Sequence, residues 1–175
     1  MGAGKHILAI CGSTRNRSAN RDLIDAIARL AKDRFTVTVY DGLSTLPYFN
    51  QDVTDADTPL EVMAFRNAIV LSDAVLICTP EYVFSLPGIL KNALEWTVST
   101  TVFSDKPAAL ITASSSGEKA HESLLLIMKT LGVKTTDELC LWIPGIKSKL
   151  HASGEITDAV LAERLGNLIA GLDSI

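Results

Sequence analysis

The chain has 175 residues, of which 47% are hydrophobic and 21% charged, with a mean hydropathy of +0.26 and a formal net charge of −4. This composition excludes a disordered chain, because disordered chains combine low hydrophobicity with high net charge. A mildly acidic chain without a basic run is also poorly suited to the phosphate backbone of DNA or RNA, so we predict no nucleic-acid partner. The length predicts one domain spanning residues 1–175.

The three cysteines, Cys11, Cys78 and Cys140, form no CxxC pair and no spacing typical of a metal site. An odd number of cysteines without a disulfide framework favours a reducing compartment, and we predict a cytoplasmic protein. The first apolar run, at residues 7–11, is too short for the core of a signal peptide. No stretch approaches the ~20 apolar residues of a membrane span, so we predict no membrane association. No cluster of residues has the spacing of metal ligands, so we also predict no bound metal.

Short apolar runs rich in β-branched residues alternate along the chain with longer stretches that have the periodicity of amphipathic helices. The apolar runs predict five strands, at residues 6–11, 35–40, 73–79, 108–114 and 135–143. The periodic stretches predict five helices, at residues 18–33, 60–71, 87–98, 118–131 and 157–172. Residues 41–58 and 144–155 are expected to form loops.

This alternation predicts an α/β fold in which helices cover both faces of a five-stranded parallel sheet, a three-layer α/β/α sandwich. Because crossover connections are right-handed, the strand order 2-1-3-4-5 is expected. Ligands of such sheets bind beyond the carboxyl ends of the strands, near the switch between the first and third strands. The loops after the first, third and fourth strands are therefore the candidates for function.

The first of these loops, residues 12–20 (GSTRNRSAN), brings hydroxyl groups and two guanidinium groups to the start of a helix. Backbone N–H groups and the helix dipole make such a position an anion site, so we predict that the loop binds a phosphate. The alternative is that Ser18 only caps the helix and that Arg15 and Arg17 are solvated. GxGxxG and GxxxxGK(S/T) are both absent, which favours a small nucleotide without the Mg²⁺ site of an NTPase.

The second loop, residues 79–88 (TPEYVFSLPG), is stiffened by two prolines and carries two aromatic rings. A stiff loop at this place can present backbone N–H and C=O groups to the edge of a flat heterocycle, and Ser85 is the expected cap of the next helix. The alternative is that Tyr82 and Phe84 pack in the core or at a subunit interface. In the third loop, residues 114–117 (SSSG), the glycine suits a close backbone approach to a polar ring edge.

The first two loops resemble the signatures of the NADPH-dependent FMN reductase family. Gly12, Ser13, Arg15, Ser18 and Asn20 are similar to the family's GSxRxxSxN. Residues 80–96 (PEYVFSLPGILKNALEW) resemble PEYNxSxPGxLKNAIDW, with valine in place of asparagine at position 83 and glutamate in place of aspartate at position 95. Both motifs lie at predicted loops and in the expected order. Residues 118–121 lack the glycine pair that many relatives have in the third loop.

The resemblance implies a flavodoxin-like fold that binds FMN non-covalently. The residues that match the family's phosphate contacts are Ser13, Arg15, Ser18 and Asn20, with Ala19 as a further cofactor contact. The residues that match the loop along the isoalloxazine ring and ribityl chain are Pro80, Glu81, Tyr82, Val83 and Ser85. Ser114, Ser115, Ser116 and Gly117 match the segment that passes the pyrimidine end of the ring.

The implied function is an oxidoreductase that passes hydride from NADPH or NADH through FMN to a small-molecule acceptor, such as a quinone, an azo compound or a flavin. No side chain is assigned a catalytic role, and Tyr82 is the candidate for a wall of the acceptor pocket. His121 either takes part in cofactor binding or proton transfer, or is only a polar residue in the first turn of a helix.

Two other functions remain open from the residues: a flavodoxin-type FMN electron carrier that does not itself oxidise NAD(P)H, and a flavin-free regulatory domain on the same fold. Flavodoxins use a Thr/Gly-rich phosphate loop, whereas this loop uses serine and arginine. A receiver domain needs an acidic pair after the first strand, where this chain has Cys11, Gly12 and Ser13. Because relatives form dimers or tetramers, a homodimer or homotetramer is expected.

Overall fold

The computed structural model describes residues 4–15, 17–151 and 154–175, and a five-stranded parallel sheet lies at its centre. Strands β1 to β5 are Lys5–Cys11, Phe35–Val39, Ala74–Thr79, Ala108–Ser114 and Cys140–Pro144. Their order across the sheet is β2-β1-β3-β4-β5, which confirms the predicted topology. Asn16, in the predicted phosphate loop, and residues 152–153, in the predicted loop at 144–155, lie outside the described residues.

Helices cover both faces of the sheet, as predicted. Helices α1 to α5 are Ala19–Leu30, Leu60–Leu71, Gly88–Glu95, Glu118–Thr130 and Ala159–Ser174. On one face, α1 and α5 bury residues such as Ile24 and Leu165 against Ile7 and Leu76. On the other face, α2, α3 and α4 bury residues such as Phe65, Leu90 and Leu124 against Ile10 and Ile77. The central strand β3 is buried along its whole length, as its continuous apolar run indicates.

The fifth strand is shorter than predicted, because it begins at Cys140 rather than at residue 135. At the start of β4, Ala108 N–H donates to the carbonyl of Lys134 at 2.8 Å, so Lys134 occupies this part of the sheet edge before the strand begins. The chain then leaves the sheet edge and forms a one-turn 3₁₀ helix at Asp137–Leu139. The predicted loop at 41–58 likewise contains one-turn 3₁₀ helices, at Leu43–Thr45 and Asp55–Asp57.

A close approach between β1 and β3 brings the candidate loops to one edge of the sheet. Gly12 N–H donates to the carbonyl of Cys78 at 2.8 Å, and a Cβ atom at Gly12 would collide with the side chain of Thr79. Glycine is therefore required where the first loop leaves β1.

Among the helices that the structure describes, none is both long enough and apolar enough to cross a membrane.

Candidate functional site

A pocket of about 430 Å³ lies at the carboxyl ends of the central strands. Its walls come from the start of α1, the loop after β3, the end of β4 and the turn after β5. This volume lies within the range of small-molecule sites, about 300–1,000 Å³. A larger cleft of about 640 Å³ separates α1 from α5, but none of the predicted site residues lines it. Another cleft, of about 520 Å³, is lined by Ser13 and Arg15 but by none of the predicted residues after β3 or β4. The pocket at the strand ends is lined by residues of all three predicted loops and is therefore the candidate site.

The start of α1 offers hydrogen-bond donors to this pocket. Ser18 precedes the helix in an extended conformation (φ −126°, ψ 121°), and its hydroxyl makes no hydrogen bond to the first turn. At the start of α5, by contrast, the carboxylate of Asp158 accepts a 2.7 Å hydrogen bond from Leu161 N–H. The first N–H groups of a helix have no partner within the helix. Ser18 therefore does not act as the ordinary cap of α1, and the first N–H groups of the helix are left for a ligand, which fits the predicted anion site.

Three cationic side chains, those of Arg15, Arg17 and Lys147, line the same pocket. Within the part of the chain that the structure describes, none of them belongs to an ion pair, whereas Arg21 pairs with Asp41 at 2.8 Å. Uncompensated cations around one concave surface produce a local positive potential, even in a chain with a net charge of −4. The pocket is therefore electrostatically suited to a phosphate.

The side chain of Asn20 is 4% exposed and is held by structural hydrogen bonds. Its Nδ2 group donates to the carbonyl of Ala113 at 3.1 Å, and its Oδ1 accepts from the Cys78 thiol at 3.3 Å. Burial raises the pKa of Cys78 well above its usual value, which keeps the thiol protonated and able to donate. Asn20 thus fastens the start of α1 to the ends of β3 and β4, and its backbone N–H lies in the first turn of the helix.

The tip of the β3 loop is a two-residue hairpin turn that exposes apolar side chains. Tyr82 N–H donates to the carbonyl of Ser85 at 3.0 Å, and Ser85 N–H donates back to Tyr82 at 3.1 Å. Between them, Val83 (φ 51°) and Phe84 (φ 57°) are both left-handed, as a type I′ turn requires. Asparagine tolerates this conformation and β-branched residues do not, which gives a backbone reason for the family's asparagine at position 83.

Replacing Val83 with asparagine is expected to stabilise the protein by roughly 0.5–1 kcal/mol, because it relieves the unfavourable φ of a β-branched residue. For a chain of this size, that corresponds to a rise of roughly 2 °C in Tm. Val98→Asn is the matched control, since Val98 is also exposed and does not have a positive φ. Thermal unfolding of the three proteins checks the prediction. A Tm for Val83→Asn at or below that of the wild type would contradict it.

The loop at 114–117 is held from three sides. The carboxylate of Glu81 accepts hydrogen bonds from Gly117 N–H (Oε1, 3.2 Å) and from Ala120 N–H (Oε2, 2.9 Å). The carbonyl of Ser115 accepts from Gly145 N–H at 3.1 Å, and the carbonyl of Ser116 accepts from Trp142 Nε1 at 2.7 Å. These bonds tie the loop after β4 to the loop after β3 and to the end of β5. A preformed wall results.

His121 lies beneath this loop, where its Nδ1 atom is 3.1 Å from the hydroxyl of Thr112 on β4. The structure thus places His121 in a structural hydrogen bond and outside the pocket lining. The pKa of His121 is lowered, chiefly because burial removes water from the ring and also because Arg164 is near. A proton therefore binds the unfolded chain more tightly than the folded one.

This linkage predicts that acidification destabilises the protein as the pH falls below about 6.5, the ordinary pKa of histidine, towards the lower pKa of the folded state. Replacing His121 with glutamine should make the decrease in Tm between pH 7.5 and 5.5 smaller than in the wild type. Between pH 7.5 and 8.5 the two proteins should differ by a constant amount, because the imidazole is neutral in both states. Parallel curves over the whole range would contradict the prediction.

Two residues of the second motif have a structural role outside the pocket. Asn92 donates from Nδ2 to the carbonyl of Pro47 at 2.9 Å and accepts from Phe49 N–H at 2.8 Å. Trp96 donates from Nε1 to the same carbonyl at 2.8 Å, and its ring packs edge-on against Phe49. The LKNALEW segment therefore anchors the loop that follows β2.

The pocket brings together ten of the predicted site residues: Ser13, Arg15, Ser18, Ala19, Asn20, Pro80, Glu81, Tyr82, Ser114 and Ser115. The other four do not line it: Val83 is at the hairpin tip, Ser85 closes the hairpin, and Ser116 and Gly117 lie at the start of α4. The prediction that Ser85 caps the next helix is wrong, because Pro87 precedes α3 and no side chain in the described ranges caps it. Sequence reasoning missed the wall after β5, which contributes Gly145, Ile146, Lys147 and Ser148. The position of β5 beside β4 in the predicted strand order was the signal for this wall.

Comparison with known proteins shows which family the chain resembles. The family model of the NADPH-dependent FMN reductases matches residues 6–147. A 2-hydroxy-1,4-benzoquinone reductase from a Burkholderia species is 34% identical over 86% of this chain and 84% of its own length. An NAD(P)H:quinone oxidoreductase from Solanum tuberosum is 30% identical over 97% and 91% of the two chains.

Among solved structures, FerB from Paracoccus denitrificans, a flavoenzyme NAD(P)H:(acceptor) oxidoreductase, superposes with a TM-score of 0.79 and 28% identity over 97% of this chain and 96% of its own. These relatives are reductases, which favours an enzyme over an electron carrier or a flavin-free domain. The flavodoxin-like fold class is confirmed. The chain belongs to the NADPH-dependent FMN reductase family and is an NAD(P)H-dependent, FMN-using oxidoreductase.

Proposed function

We propose that the pocket at the strand ends holds FMN, with the phosphate at the start of α1. The observation that carries this proposal is the combination, in one pocket, of a helix start without a side-chain cap and three cations outside any described ion pair. The hydroxyls of Ser13 and Ser18, the guanidinium of Arg15 and the N–H groups of Ala19 and Asn20 form a donor set of the kind that a phosphate requires. These residues therefore fit FMN.

The proposed wall for the flavin ring is the backbone of Pro80, Glu81 and Tyr82, with Ser114 and Ser115 on the other side of the pocket. Val83 and Ser85 would act by shaping the hairpin, and Ser116 and Gly117 by fixing the 114–117 loop. When bound there, FMN would supply the chemistry of hydride transfer between NADPH or NADH and the acceptor. The protein's own task is to orient the ring with preorganised N–H donors, which requires no side chain acting as an acid.

For the acceptor we propose a quinone, because several relatives are named for quinone reduction. Tyr82 is 44% exposed at the rim of the pocket, where its ring offers a flat acceptor an aromatic surface to stack on. This assignment leaves the redox chemistry to the cofactor and gives Tyr82 a role in binding the acceptor.

We also propose that this single domain assembles as a homodimer or homotetramer in the cytoplasm. At the hairpin tip, Val83 is 95% and Phe84 78% exposed, and contact with a second copy would remove these apolar side chains from water. The three thiols are unpaired, as a reducing compartment favours. Sedimentation of wild type and Phe84→Ser would test the assembly, and an unchanged oligomeric state would exclude the tip from the interface.

The function is tested by titrating the purified protein with FMN, then adding NADPH or NADH without oxygen, and finally adding 1,4-benzoquinone. We expect tight FMN binding, bleaching of the visible flavin absorbance by a nicotinamide nucleotide, and its return when the quinone is added. Failure to bind FMN would overturn the proposal. Flavin that binds but is reduced by neither nucleotide would identify an electron carrier instead.

A further inference from the structure

Glu81 supplies the helix cap that α4 cannot supply for itself. The residue before the helix is Gly117, whose φ of 87° is left-handed and which has no side chain to accept a hydrogen bond. A Cβ atom there would lie 3.1 Å from Thr112 Cγ2 and 3.3 Å from Ser114 Cβ, so the position also has little room for a larger residue. The N–H groups of Gly117 and Ala120 are bonded instead by the Glu81 carboxylate, which comes from the loop after β3.

This contact joins two walls of the candidate pocket through one side chain. Pro80, Glu81 and Tyr82 line the pocket from the loop after β3, and Ser114 and Ser115 line it from the end of β4. The Glu81 carboxylate crosses between the two loops, and the positive end of the α4 dipole favours its negative charge. The Glu81 carboxylate is therefore one of the contacts that hold the two walls together, in addition to the pairing of β3 with β4.

The same contact distinguishes the two helix starts near the pocket. At α4 the N-terminal donors are occupied by a carboxylate of the protein, whereas at α1 the Ser18 hydroxyl makes no cap. A ligand phosphate is thereby directed to α1.

We propose that Glu81 is a positioning residue of the flavin site, which fixes the 114–117 loop at the spacing that the ring requires and keeps the start of α4 closed to the ligand phosphate. The inference rests on the proposed function, since it takes flavin to be the ligand. It assigns to the Glu81 side chain a role that is distinct from contact with the phosphate.

The test compares Glu81→Ala and Glu81→Gln with a matched control, Glu118→Ala, which removes an exposed carboxylate from the first turn of the same helix. Affinity for FMN and for riboflavin is measured by fluorescence titration. We expect Glu81→Ala to weaken both ligands by the same factor, about tenfold, because the ring wall and not the phosphate contact is lost. Glu81→Gln retains one acceptor oxygen and should fall between Glu81→Ala and the wild type, and Glu118→Ala should bind both ligands as the wild type does.

Acetate provides a second readout, since a small carboxylate can bond the two N–H groups that Glu81→Ala leaves without a partner. Added acetate should recover part of the riboflavin affinity of Glu81→Ala and leave the wild type and Glu118→Ala unchanged. A side chain with only a general effect on stability would not be replaced by acetate in this way.

Hydrogen exchange on the flavin-free proteins tests the contact itself. The amides of Gly117 and Ala120 should exchange about tenfold faster in Glu81→Ala, while those of Leu124 and Met128 further along α4 keep their wild-type protection. Unchanged protection at Gly117 and Ala120, or riboflavin affinity equal to that of the wild type, would overturn the inference. If Glu81→Ala does not fold, Glu81→Gln carries the same tests.

Failure of the proposed function would look different. In that case the wild type itself would bind neither FMN nor riboflavin, while the exchange rates of flavin-free protein would still report whether Glu81 holds the start of α4.

Discussion

Replacing Arg15 with alanine is expected to weaken FMN binding by about 10- to 100-fold, while riboflavin binding changes by less than about twofold. The physical reason is that, in the proposed complex, Arg15 contacts only the phosphate, which riboflavin lacks. Hydrogen bonds between a guanidinium and a phosphate are charge-assisted and frequently paired. Because Arg15 belongs to no ion pair in the described ranges, its removal leaves no carboxylate of the protein without its partner. The measurement is fluorescence titration with both ligands at fixed ionic strength.

Arg34→Ala is the control for a change in overall charge. Arg34 lies beside the cleft between α1 and α5 and faces Asp173 at 3.7 Å, remote from the proposed phosphate position. It should leave both affinities as they are in the wild type. If Arg15→Ala lost FMN and riboflavin equally, the phosphate role of Arg15 would be wrong. If Arg34→Ala weakened FMN as much as Arg15→Ala, the effect would be one of net charge.

Replacing Asn20 with aspartate is the second large effect, because it should reduce both stability and FMN affinity. The substitution keeps the shape of the side chain but removes the Nδ2 donor to the Ala113 carbonyl, in a site that is only 4% exposed. A buried acceptor without its donor, next to a newly buried charge, should lower the free energy of unfolding by at least about 2 kcal/mol. The new negative charge at the start of α1 should also repel the phosphate and weaken FMN about tenfold or more.

Urea unfolding of the flavin-free protein and titration with FMN measure the two effects separately. Asn67→Asp, on the exposed side of α2, makes the same chemical change away from the site and should alter neither quantity appreciably. Stability of Asn20→Asp equal to that of the wild type would mean that the hydrogen bond to Ala113 does not hold the start of α1.

The features predicted correctly from the sequence are those that depend on local patterns. Strand β3 is a continuous apolar run, α1 has its apolar residues on one face, and five such units determine a sheet whose loops meet at one edge. The rule that ligands bind beyond the carboxyl ends of parallel strands then selected loops that meet at one pocket. Ten of the fourteen candidate residues share a pocket for this reason.

The roles of individual side chains were harder to predict, because they depend on partners that are distant in sequence. Asn20 bonds Ala113, 93 residues away, and Glu81 bonds Gly117, 36 residues away. Neither partner can be identified from a motif in one sequence. Lys147 was missed for a related reason. It enters the pocket from the loop after β5, whereas the rule places the ligand near the switch between the first and third strands.

Position 83 shows a third kind of limit. A sequence motif indicates that asparagine is usual there, and the loss of a side-chain hydrogen bond is the obvious interpretation. The left-handed φ of 51° at Val83 supplies a different cause, which belongs to the backbone and which no comparison of side-chain chemistry would reveal.

A crystal structure of the protein grown with FMN is the most direct test of the proposed site. We expect the phosphate to accept hydrogen bonds from the N–H groups at the start of α1 and from the Ser18 hydroxyl, with the ring between Tyr82 and the 114–117 loop and with Glu81 still bonded to Gly117 and Ala120. A phosphate bound at the start of α4, or FMN bound in the cleft between α1 and α5, would contradict the account.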